Sequence, residues 1–110
     1  MTLLQQMAAQ DFARRETQRA GARDELGCAL AELLPGTEVM VFGSLVKPGR
    51  FTDESDVDVA LQREPATMSI YQLSSLLAER LGRAVDVVLL DECRFRERIM
   101  REAEVWTLPG

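Results

Sequence analysis

The chain has 110 residues, 46% of them hydrophobic and 28% charged, with a formal net charge of −5. These values predict one domain over 1–110 with one buried core, and they argue against broad affinity for nucleic acid or anionic membrane, although a few local cations can still hold a phosphate ligand. Histidine is absent, which excludes Ser-His-Asp and Cys-His catalysis within the chain and leaves oxygen or sulfur as metal donors, with carboxylates favouring magnesium or manganese.

Residues 1–34 read as a helical segment packed on the domain. Leu3, Leu4, Met7, Ala8 and Phe12 form an early apolar face, and Leu26, Ala29, Leu30, Leu33 and Leu34 a clearer one at spacings of three and four. Gly21 and Gly27 leave two helices and one broken helix open, and Pro35-Gly36 marks the stop. The early charges Asp11, Arg14 and Arg15 and the lack of a long apolar core argue against a signal peptide. Arg14, Arg15, Arg19 and Arg23 read as a solvated helix face, with a partner patch as the alternative.

Three strands are expected next. Glu38–Gly43 is the first, Asp56–Leu61 the second, and Ala84–Leu90 the third, a nearly continuous apolar run suited to an interior strand. Between the last two, Ile70, Leu73, Leu76, Leu77 and Leu81 predict an amphipathic helix over 68–81, closed by Gly82. A final helix is expected over 93–103 with Asp91 as its N-cap, followed by a short extended tail at Val105, Trp106 and Leu108. Methionines 7, 40, 68 and 100 read as core or interface filler, and Tyr71 and Trp106 as packing residues. Cys28 and Cys93 match no zinc or disulfide pattern, so reduced thiols in the cytoplasm are expected. No apolar run approaches a membrane span.

The chemistry concentrates in Val39–Leu61. A Gly43-Ser44 pair follows the first strand, and Asp56 and Asp58 open the second. Two apart on a strand, these aspartates leave the same face and can converge on shared cations with Asp86 of the third strand. Crowded carboxylates repel, and divalent cations relieve that repulsion. Asp86 is suited to complete the metal nearer the attacking hydroxyl or to help take its proton. Gly43 permits backbone to approach phosphate, Ser44 offers a hydroxyl and an amide, and Lys47 and Arg50 lie in the following loop, where they could neutralise phosphate charge. The groups meet at one edge only if the first strand is antiparallel to the second and the third parallel to it. The fold class is therefore α/β (α+β): a small mixed sheet of three to four strands flanked by helices.

The segments VFGSLVKPGRF, SDVDVAL and AVDVVLL resemble the minimal nucleotidyltransferase proteins of the DNA-polymerase-beta-like superfamily, and the tail RERIMREAEVW resembles their closing helix and strand. The resemblance implies the nucleotidyltransferase fold, with Gly43 and Ser44 holding the triphosphate of ATP. It implies that Asp56 and Asp58 bind two magnesium ions and that Asp86 is the third catalytic carboxylate. The implied reaction is attack of an acceptor hydroxyl on the α-phosphorus. Proteins of this kind are often the antitoxin beside a helical HEPN toxin, and some transfer AMP to a tyrosine of that partner. The HEPN motif needs a histidine, so this chain is not the toxin. Many relatives carry arginine directly after Gly-Ser. Here Leu45 stands there, and Lys47 or Arg50 would have to substitute. The spacer Leu45–Ser55 is also one residue longer than is common among these relatives. The alternatives are an antitoxin acting by contact alone, and nucleotide transfer to a small molecule or RNA end.

Overall fold

The computed structural model describes residues 1–110. The N-terminal segment forms one helix, α1, Leu3–Leu33. A reciprocal capping box starts it: the Thr2 hydroxyl accepts from the Gln5 amide, while the Gln5 side chain accepts from the Thr2 amide. Glycines in a helix interior cost about 1 kcal/mol each, and α1 runs through Gly21 and Gly27 because Ala22, Leu26, Ala29 and Leu30 around them are buried. The two faces expected along α1 fare differently. Ala29 and Leu30 are in the core, whereas Leu3, Leu4, Met7 and Phe12 are 71, 77, 53 and 51% exposed. At about 1.5 Å per residue, α1 outruns the sheet it packs on, and the molecule is 54 Å in its longest dimension against 28 and 22 Å in the others. Residues 1–14 are exposed, although the Phe12 ring lies beside Gly49.

The sheet contains β1 (Glu38–Phe42), β2 (Val57–Leu61), β3 (Val85–Leu89) and β4 (Glu104–Thr107), ordered β3-β2-β1-β4. β1 is antiparallel to β2 and β4, and β3 is parallel to β2, in the directions that the aspartates require. The extended tail is the fourth strand. β3, expected in the interior, is an edge strand; Val85, Val87 and Leu89 pack on the main core and Val88 on the smaller cluster, while Asp86 stays exposed. The helix α2 (Ile70–Leu81) supplies the parallel crossover, with Ser69 and Gln72 forming a second capping box and Gly82 the left-handed C-cap.

One face of the sheet presents Val39, Val41, Val57, Val59, Leu61, Val85 and Val87 to Leu26 and Leu30 of α1 and Leu73 and Leu77 of α2. Complete burial of each such side chain is worth about 1.5–3 kcal/mol. The opposite face carries a smaller cluster: Met40 and Ala60 against Leu90 and Ile99. Ile99 belongs to the last helix, α3, Arg96–Glu102, which is shorter than expected. Asp91 is not its N-cap. It lies in a 3-10 turn, Leu90–Glu92, and α3 begins after Phe95 with no side-chain cap. Tyr71, expected to pack, is 79% exposed, and Met7 and Met100 are exposed while Met40 is buried. No helix is long and apolar enough to cross a membrane.

Candidate active site

The smaller apolar cluster leaves part of its sheet face uncovered, and a cavity of about 470 Å³ opens there between the sheet and α3. Its floor comes from the strands: Phe42 and Gly43 at the end of β1, Asp58 on β2, and Asp86 and Val88 on β3. Lys47 stands at one side, and Cys93, Phe95, Arg98, Ile99 and Glu102 close it from α3 and the turn before it. Strand pairing places Asp58 opposite Phe42 on one side and opposite Asp86 on the other. Because alternate residues of a strand share a face, the buried valines on either side of Asp58 point to the core and leave the carboxylate facing the cavity.

The electrostatics follow from this crowding. Burial, then the charges of Asp86 and Asp56, push the Asp58 carboxyl up to about 6. Asp56 itself lies just before β2, exposed and outside the cavity lining. No three carboxylate or thiol groups converge closely enough to enclose a metal ion as the side chains stand. Asp58 and Asp86 are the pair brought together. The donor chemistry nevertheless fits magnesium, which commonly uses one or two carboxylates and completes its shell with water and substrate phosphate.

Gly43 has φ +77°, and a Cβ added there would overlap Oδ2 of Asp58. Only glycine brings the backbone this close to the carboxylate without strain. Ser44 lies in the 3-10 turn Gly43–Val46, half-buried, and its carbonyl accepts from the Lys47 amide at 3.1 Å. Leu45, where many relatives place arginine, is fully buried in the main core. Of the two proposed substitutes, Lys47 reaches the cavity and Arg50 stands exposed outside its lining. Lys47 Nζ is 3.3 Å from Glu102, and Arg98 is 3.6 Å from the same carboxylate. Hydrogen bonding by Lys47, then its charge and that of Arg98, hold the Glu102 carboxyl below its usual range despite some opposing desolvation.

α1 sets the position of this loop. Arg19 and Arg23 donate to the Leu45 carbonyl at 3.1 and 3.5 Å, the Gly49 amide donates to Glu16 at 2.9 Å, and Arg15 donates to the Gly49 carbonyl at 3.4 Å. Gly49, at φ +76°, leaves no room for a Cβ, which would stand 2.9 Å from the Phe12 ring. Of the arginines read as a solvated face, Arg15, Arg19 and Arg23 are thus half-buried and engaged with the loop, and only Arg14 is confined to a local pair with Asp11. On the other side of the loop, Arg83 stacks over Phe51 at 4.4 Å and donates to the carbonyls of Thr52 and Ser55. It braces the approach to Asp56 rather than pairing with Asp86. Arg98 and Glu102 were not singled out in the sequence; their signal was the charge alternation in the closing helix, which reads equally as a solvated face.

The family described as polymerase beta, nucleotidyltransferase matches residues 37–106. No curated protein matches the chain. Among solved structures, the chain is similar to one described as the crystal structure of a toxin–antitoxin with AMP-PNP. The identity is 21%, the match covers 76% of this chain and 72% of that one, and the TM-score is 0.59, so the two share a fold. The matched segment holds the Gly43-Ser44 turn, Asp56, Asp58 and Asp86, and takes in β1, β2, β3, both shorter helices and β4 up to Trp106; the chain belongs to the polymerase beta nucleotidyltransferase family.

Proposed function

We propose that the protein transfers AMP from ATP to a hydroxyl of a partner protein, a tyrosine of a HEPN-type RNase toxin, and thereby acts as its antitoxin in the cytoplasm. The in-register pair Asp58–Asp86, facing Gly43 in one cavity, carries the catalytic part of this reading. The similar structure described as a toxin–antitoxin with AMP-PNP, an ATP analogue, supports a toxin partner in general and an ATP-like nucleotide; the HEPN type and the tyrosine rest on the family resemblance alone.

The backbone at Gly43-Ser44 and the Lys47 ammonium would hold the triphosphate, and Asp58 and Asp86, with Asp56 from the loop before β2, would be the carboxylates that hold magnesium. When bound, the metal neutralises phosphate charge and stabilises charge on the attacking and leaving oxygens. Asp86 accepts the proton of the acceptor hydroxyl. The acceptor oxygen forms a bond to the α-phosphorus as the bond to the bridging oxygen breaks, and pyrophosphate leaves. Positioning and electrostatics supply most of the rate.

The test is incubation with magnesium, ATP labelled at the α-phosphate and the partner protein purified with this chain. The partner acquires label with wild type and none with Asp58→Asn/Asp86→Asn. A complex that forms but stays unlabelled removes the catalytic reading. A specific observation favours a second reading, neutralisation by contact alone: Glu102 already engages Lys47, and Arg50 stands away from the cavity. Neutralisation unchanged in the double variant establishes that reading.

A further inference from the structure

A second hollow, of about 450 Å³, adjoins the carboxylate cavity and shares Phe95 and Arg98 with it. Its other walls are Arg94, Arg96, Glu97 and Arg101, so one carboxylate stands among four guanidinium groups. In a chain of net charge −5, the run Arg94–Arg101 contains four arginines and a single acidic residue, Glu97. The other arginines of the chain show what those with a structural task do. Arg19 and Arg23 bind carboxylates and a loop carbonyl, and Arg83 holds two carbonyls and a ring. Arg94 and Arg101 form no ion pair and no hydrogen bond to the protein, while Arg96 reaches only an exposed Asp91 at 3.8 Å. Phe95 between them is 61% exposed.

We propose that this arginine-lined hollow receives an acidic segment of the acceptor protein, laying its carboxylates against Arg94, Arg96 and Arg101 so that the neighbouring hydroxyl enters the cavity past Phe95. The proposal rests on a protein hydroxyl being the acceptor. Guanidinium groups match carboxylates through paired, directional hydrogen bonds. A short acidic peptide suits the hollow better than a nucleic acid strand. Nucleic acid binding draws its affinity from many phosphate contacts along an extended basic track, whereas the basic surface here is four arginines on and just before one short helix, enough for a few carboxylates.

The test reads binding rather than transfer. Fluorescein-labelled Glu-Glu-Tyr-Glu-Glu, Lys-Lys-Tyr-Lys-Lys and a short single-stranded RNA are titrated against the full chain by anisotropy at low salt. The acidic peptide binds most tightly. Arg94→Glu/Arg101→Glu weakens it about tenfold, and Arg94→Gln/Arg101→Gln weakens it less, as expected for a few solvent-exposed charge pairs. Affinity for a fluorescent ATP analogue, measured in parallel, stays unchanged and certifies the fold. Equal binding of the two peptides, or acidic-peptide affinity indifferent to both variants, overturns the proposal. RNA binding tighter than the acidic peptide and lost on charge reversal also overturns it, assigning the hollow to nucleic acid. Peptide selectivity that survives while no AMP transfer is detected sinks the catalytic reading and the delivery of a hydroxyl with it, and leaves the hollow as a dock for an acidic segment of the partner.

Discussion

Gly43 and Asp58 occupy adjoining space so closely that the glycine's missing side chain is what lets the carboxylate lie where it does. The turn after β1 and the carboxylate on β2 are therefore one device: Gly43 has the left-handed backbone that turns the chain, and its bare Cα opens the cavity floor.

Gly43→Ala brings two penalties together. A positive φ costs a residue with a side chain about 1–2 kcal/mol, and the new methyl displaces Asp58. The expected outcome is a fold retained by circular dichroism, a melting temperature lower by several degrees, and loss of nucleotide binding in calorimetry.

The raised Asp58 carboxyl makes stability depend on pH. Its ordinary value is 3.8 and its folded value about 6, so the folded state holds that proton more tightly than the unfolded chain does. The stabilisation is complete below about pH 3.8 and is lost as pH rises through about 6. Without divalent cation, Asp58→Asn is expected to melt above wild type at pH 7.5, with the difference vanishing near pH 4. Adding magnesium and a nonhydrolysable ATP analogue at pH 7.5 should raise the melting temperature of wild type alone. A wild-type-minus-variant difference independent of pH would contradict the crowding described for this carboxylate.

Arg23 couples α1 to the far edge strand. Its two guanidinium nitrogens meet Glu104 at 3.1 and 2.7 Å, it stands 5.3 Å from the centre of the Trp106 ring, and Trp106 donates to the same Glu104 at 3.1 Å. The pair is only partly shielded from water, so Arg23→Ala is expected to cost about 1 kcal/mol in urea denaturation. A double-mutant cycle with Glu104→Ala should recover part of that as coupling.

Leu45→Ala removes a fully buried side chain from the core beneath the Gly43–Val46 turn. Chemical denaturation should report a loss of about 2–5 kcal/mol. Leu45→Arg, which restores the residue common in relatives, is expected to be worse, because a guanidinium there would enter the core without a partner.

Glu102→Gln removes the carboxylate shared by Lys47 and Arg98. Freed of that competitor, the cavity should bind a fluorescent ATP analogue several-fold more tightly, with the gain shrinking at high salt. Weaker binding would mean that Glu102 orients Lys47 for the phosphate rather than competing with it.

The sequence alone determined the strands, the crossover helix and the positions of Gly43, Asp58 and Asp86, because period-two alternation, capping residues and an aspartate inside an apolar run are local signals. The requirement that the aspartates share one edge also sufficed for the strand directions. Tertiary structure decided what depends on neighbours distant in the chain. It made β3 an edge strand, since an apolar run registers covered faces and not strand partners. It left Leu3, Leu4 and Met7 in solvent, since periodicity marks a face without saying whether anything covers it. It turned Arg15, Arg19 and Arg23 into a clamp on the loop after β1, buried Leu45, and left Ser44, Asp56 and Arg50 outside the lining of the cavity that Lys47, Arg98 and Glu102 enter. A side chain's partner is chosen by whatever the fold sets within hydrogen-bonding reach, and no local pattern records that choice.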